Sequence, residues 1–125
     1  MGYQLIWEPQ GVMNCLRGFV TGEEFVHSME AIAVDRRFDD LRFVISDRRE
    51  MVGNSIGPEH LESAAAIRFG SAHTNPNIVV LVVTSGADAR RVNELMTERP
   101  LIGTNPTLAF ADMETARTWL AGHRA

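Results

Sequence analysis

Two arginine pairs, Arg48-Arg49 and Arg90-Arg91, are the residues here best suited to hold an anion, because guanidinium groups offer forked donors that match carboxylate and phosphate oxygens. Ser85-Gly86-Ala87 lies just before the second pair and has the small side chains that leave backbone amides open at a helix start. Asp47 stands directly before the first pair. Ion pairing of these arginines with Glu50, Asp88 or Glu94 on a solvated surface is the competing use of the same charges.

Other reactive side chains are sparse. All 12 basic residues are arginine, so neither a lysine Schiff base nor a phosphate-loop lysine can form. His27, His60, His73 and His123 are scattered without HxH or HxxxH spacing, and Cys15 is the single cysteine, which removes an internal disulfide and any cysteine-based zinc cluster. Ser85 has no GxSxG elbow and serves better as a helix cap. No nucleophile–base pair emerges, so the expected role is non-catalytic, with no cofactor.

Bulk properties narrow the class further. At 125 residues, with 45% hydrophobic and 22% charged residues, the chain reads as one domain, 1–125, with enough core to fold alone. A net charge of −4 and the lack of any basic run longer than two argue against nucleic acid as the partner. The longest strongly apolar run is 78–83, far too short to span a bilayer, and the first residues lack a signal-peptide pattern. A cytoplasmic protein is the expectation.

The elements that must position these residues follow from periodicity. Tyr3 to Glu8 alternates as a half-buried strand, Glu8-Pro9-Gln10-Gly11 fits a type I turn, and Val12 to Gly18 returns as the second arm of a hairpin. Thr21-Gly22-Glu23-Glu24 has capping-box spacing, with Val20 and Phe25 as its staple, and opens a helix whose apolar stripe is Phe25, Met29, Ile32 and Ala33. Arg42 to Asp47 reads as a strand. Gly57-Pro58 starts a second helix with Ile56 stapled over Leu61 and an inward face of Leu61, Ala65, Phe69 and Ala72. Ile78 to Val83 is a β-branched run fit for a doubly covered strand. Ser85 caps a third helix carrying Val92, Leu95 and Met96, and Thr107 to Ala111 is a last strand. Asp112 caps a final helix carrying Ala116, Trp119 and Leu120.

The order is ββαβαβαβα: an α/β domain with a mixed, mostly parallel five-stranded sheet and helices joined by right-handed crossovers. The stretch Arg48 to Gly57 is then a βα connection of about ten residues, beyond the usual 2 to 6 or so, and it carries the apolar Met51 and Val52. Either these two fold back onto the sheet, or they form a contact surface together with Asp47, Arg48, Arg49, Ser85 and Arg90 at the carboxyl edge of the parallel strands.

The segments Trp7-Glu8-Pro9-Gln10-Gly11-Val12, Gly18-Phe19-Val20-Thr21-Gly22-Glu23-Glu24, Asp35-Arg36-Arg37-Phe38-Asp39-Asp40-Leu41-Arg42 and the strand ending in Asp47 resemble those of small bacterial STAS-like proteins. The resemblance spans nearly the whole chain and implies the SpoIIAA-like fold, which STAS and SEC14-type lipid-binding domains share. In anti-sigma antagonists of this fold a phosphorylatable serine lies two residues after the matching aspartate. Arg49 occupies that position here. The resemblance implies a protein-interaction or regulatory binding module. The alternative it implies is a SEC14-type carrier of a small amphipathic or lipid-like ligand. The partner is accordingly a protein, a second copy of the chain included, or a small anionic or amphipathic molecule.

Overall fold

The computed structural model describes residues 2–98 and 104–124. Its elements are β1 (Tyr3–Glu8), β2 (Gly11–Val20), α1 (Gly22–Ala33), a single 3-10 turn (Phe38–Asp40), β3 (Phe43–Asn54), α2 (Pro58–Thr74), β4 (Val79–Val83), α3 (Gly86–Glu98), β5 (Thr107–Phe110) and α4 (Met113–Arg124). The five strands form one sheet in sequential order, β1 antiparallel to β2 and every other pair parallel.

Local signals hold where chemistry fixes the backbone. Thr21 Oγ1 accepts from the Glu24 amide at 3.1 Å and Glu24 Oε1 accepts from the Thr21 amide at 3.0 Å, so two orphan amides at the start of α1 are satisfied reciprocally. Ser85 Oγ accepts from Asp88 N and Asp112 Oδ1 from Thr115 N, capping α3 and α4. The β1–β2 turn departs from type I geometry: Gln10 takes a φ of 61°, in the left-handed region that a type I turn does not use.

The sheet is covered unequally. Phe43, Ile45, Leu81 and Val83 pack with Ala116 and Leu120 of α4 on one face. On the other face Val12 packs with Ile32 of α1, and Val82 and Ala109 pack with Ala89 of α3. The third helix of that face, α2, lies against α1 rather than on the strands.

The long βα connection does not exist. β3 continues through Arg48, Arg49, Glu50, Met51, Val52 and Gly53 to Asn54, paired with Arg17–Val20 of an equally extended β2. β4 reaches only as far as the Asp47–Val83 pair, so the last seven residues of β3 run on beyond it as half of a two-stranded parallel ribbon. Two register shifts flank Gly18, whose φ of 63° suits glycine. The linker that remains, Ser55 to Gly57, is three residues long.

The face assigned to α2 is also different. Leu61 and Phe69 are more than half exposed and Ala65 is exposed, whereas Ala64 is buried and Ile67, Arg68 and Ser71 are half-buried. Two apolar stripes compete on this helix. The inward one includes a cation, so hydrophobic spacing alone favours the wrong stripe.

Candidate functional site

Because α2 stands off the strands, a cavity of about 380 Å³ remains between it and the sheet. That volume lies within the range of about 300 to 1,000 Å³ usual for small-molecule sites. Even-numbered positions of β3 and β4 form its floor: Val44, Ser46, Arg48, Val80 and Val82. Phe25, Met29 and Ile32 of α1 close one side, and Val92 and Met96 of α3 another. The inward stripe of α2 is the roof, and exposed Leu61 and Ala65 mark the mouth.

The roof is fastened at both ends. At the start of α2, His60 Nδ1 accepts from the Gly57 amide at 2.9 Å, Nε2 lies 3.2 Å from Glu23 Oε1, and the ring fills the space beside Gly22 that a Cβ would otherwise need. At its end, buried Asn75 donates through Nδ2 to the carbonyls of Phe38 and Leu41 at 2.9 and 3.0 Å. Asn105 Nδ2 in turn donates to the Asn75 carbonyl at 3.2 Å.

Two guanidinium groups enter this mostly apolar space. Arg48 comes from the floor, its Nε 3.4 Å from Ser46 Oγ and its guanidinium 5.9 Å from the Phe25 ring centroid. Arg68 comes from the roof and donates through Nη2 to Thr107 Oγ1. Neither forms an ion pair with a carboxylate among the described residues. Burial lowers the pKa of Arg48, the Arg68 charge lowers it further, and Asp88 acts in the opposite sense. Burial alone lowers that of Arg68. A third polar feature is Asn14, directly across from Ser46 in register. Ser28 Oγ gives its proton to the Phe25 carbonyl at 2.7 Å and so must accept from Asn14 Nδ2, which leaves buried Asn14 Oδ1 without a partner among the described residues.

The structure divides the residues singled out from the sequence. Arg48 lines the cavity. Arg49 points to the opposite face, where its Nη2 pairs with Asp47 Oδ2 at 2.9 Å and its Nε and amide both reach Asp47 Oδ1. The hydrogen bond from Arg49, more than any other influence, holds the Asp47 carboxyl below its usual range. Ser85, the cap of α3, and Arg90 on that helix are exposed and do not line the cavity. A single site joining Arg48, Arg49, Arg90 and the Ser85 amides is therefore not formed: alternation sends neighbouring arginines to opposite faces of the strand. Met51 is half-buried and Val52 is 83% exposed, both on the ribbon. Cys15 is buried, and its thiol pKa is raised chiefly by that burial.

Sequence reasoning missed Arg68 as a site residue. One signal was present: it is the only charged residue between Glu62 and His73, in a helix segment otherwise made of alanines, serines, glycine and apolar residues. A cation with no opposite charge one turn away on its own helix is the pattern of a side chain partnered elsewhere.

No family model matches the chain, and no curated protein sequence matches it either. Solved structures do. The anti-sigma factor antagonist SpoIIAA in its unphosphorylated form superimposes with a TM-score of 0.56 at 16% identity, covering 96% of this chain and 98% of that one. An uncharacterized protein of the DUF3478 family from Shewanella loihica PV-4, with a SpoIIAA-like fold, gives a TM-score of 0.59 at 12% identity, over 94% of this chain and 91% of the other. The described residues thus have the α/β architecture of the SpoIIAA-like fold. None of the described helices is long and apolar enough to cross a membrane.

Proposed function

We propose that this protein is a non-catalytic binding module whose ligand is a small amphipathic molecule held in the cavity between α2 and the sheet. The observation that supports this reading is the cavity itself: a domain of this size normally fills the space between helix and sheet with side chains at near-crystalline density, yet here about 380 Å³ lies behind an α2 tied down at its two ends. Its walls are mostly apolar, with a few polar side chains among them, Arg48 and Arg68 included, which is how small-molecule sites combine affinity with orientation.

Native mass spectrometry of freshly purified protein tests it. A retained small-molecule mass is expected, and it should disappear in Ala65→Trp, which adds bulk at an exposed position of the mouth. A bare mass, combined with no binding of an environment-sensitive apolar dye, would remove the reading.

A second reading, a protein-interaction module, is supported by the ribbon. Phe19 is 58% exposed and lies beside Gly53, with Val52 adjacent on the same projecting strand pair. Exposed apolar side chains on a projecting strand pair suit contact with another protein. Phe19→Ser/Val52→Ser should then abolish capture of a partner while leaving the cavity ligand in place.

A further inference from the structure

We propose that Arg48 and Arg68 together form the anion-holding end of the cavity, so that the ligand is a medium-length amphipathic anion ending in a carboxylate or a phosphate. This rests on the cavity being a ligand site and adds what that site selects.

The two cations line the same cavity from opposite walls, one from β3 and one from α2. Like charges brought together in a partly dehydrated space repel, and each has also lost part of its hydration, so the arrangement costs stability unless an opposite charge lies between them. The chain supplies none at ion-pair distance among its described residues, and Asp88 is the only carboxylate among the influences on Arg48. Each guanidinium carries five N–H donors, and the described residues engage one on Arg48, through Ser46, and one on Arg68, through Thr107. The remaining donors can form the forked hydrogen bonds that favour planar carboxylates and tetrahedral phosphates over neutral oxygens.

Apolar walls set the rest of the molecule. Met29, Ile32, Val44, Val80 and Val92 leave no second charge along the cavity from these positions. At about 30 Å³ per water-sized atom, the volume holds on the order of a dozen non-hydrogen atoms. An alkyl chain of about ten carbons with one acidic group has that size.

Calorimetric titration of the whole protein with decanol, decanoate and decyl phosphate at matched ionic strength tests the proposal. At least one of the two anions should bind about tenfold or more tightly than decanol, the margin of a charge-assisted hydrogen bond over a neutral one. Preference for decyl phosphate identifies a phosphate ligand, and preference for decanoate a carboxylate. Arg48→Met and Arg68→Met should each reduce the anion advantage to within about threefold without weakening decanol, while Arg17→Met, at a residue that pairs with Glu50 and does not line the cavity, should leave it intact. Decanol binding as tightly as both anions in the unmodified protein would overturn the inference and leave the cavity reading standing. Failure of all three to bind would overturn the cavity reading, and this inference with it. The ligand series on the unmodified protein decides between these outcomes even if a variant fails to fold.

Discussion

Arg48 and Arg49, consecutive on β3, face opposite sides of the sheet: the first lines the cavity beneath α2, and the second pairs at 2.9 Å with Asp47 on the side covered by α4. The pair predicts opposite mutational signs. Arg48→Met should leave the urea midpoint unchanged or raise it, because it removes a dehydrated cation that no carboxylate neutralises. Arg49→Met should lower stability by less than about 1 kcal/mol, the scale of a half-exposed ion pair.

The capping box at α1 supplies a local test. Thr21→Ala should cost about 1 kcal/mol in equilibrium denaturation, since the Glu24 amide loses its side-chain acceptor. Equal midpoints for the two proteins would show that the box contributes nothing.

Gly11 tests close packing beneath the hairpin. A Cβ there would meet Phe43 Cζ at 2.0 Å, and the Phe43 ring is fully buried. Gly11→Ala should therefore cost about 1 to 3 kcal/mol through overpacking, although the substitution is mild by chemistry. A loss smaller than about 0.5 kcal/mol would mean that the ring repacks freely.

Acid sensitivity follows from two aspartates. Asp35 is held at about 2 by hydrogen bonds from the Arg37 side chain and amide, and Asp47 is lowered from 3.8 mainly by Arg49. Both folded-state values lie below the unfolded one, so their contributions are complete above the ordinary carboxylate range. They fade as pH falls through 3.8 toward about 2. Thermal midpoints of Asp35→Asn/Asp47→Asn should thus depend less on pH between about 5 and 2 than those of the parent protein.

The ribbon separates its two apolar residues. Val52→Ser should change stability by under about 0.5 kcal/mol because the side chain is already solvated, whereas Met51→Ser, half-buried against its neighbours, should cost more. Equal effects would contradict the difference in burial between the two side chains.

The sequence by itself determined the parts governed by neighbours within a few residues. The caps at Thr21, Ser85 and Asp112 and the β-branched run that became β4 appear where spacing put them, and the alternation of strands and helices implied the mixed, mostly parallel sheet. These depend on hydrogen bonds three residues apart and on periodicity, both written directly in the chain. Tertiary structure decided the extent of β3, because Arg48 to Asn54 has polar, loop-like composition and becomes strand only where β2 extends beside it to accept its hydrogen bonds. It also decided the site. Which stripe of α2 turns inward depends on packing against α1, and that choice carries Arg68 into the cavity that Arg48, 20 residues earlier, lines from the floor. Two like charges brought together from different elements leave no spacing in the sequence, since their proximity is created by the fold that has to bear its cost.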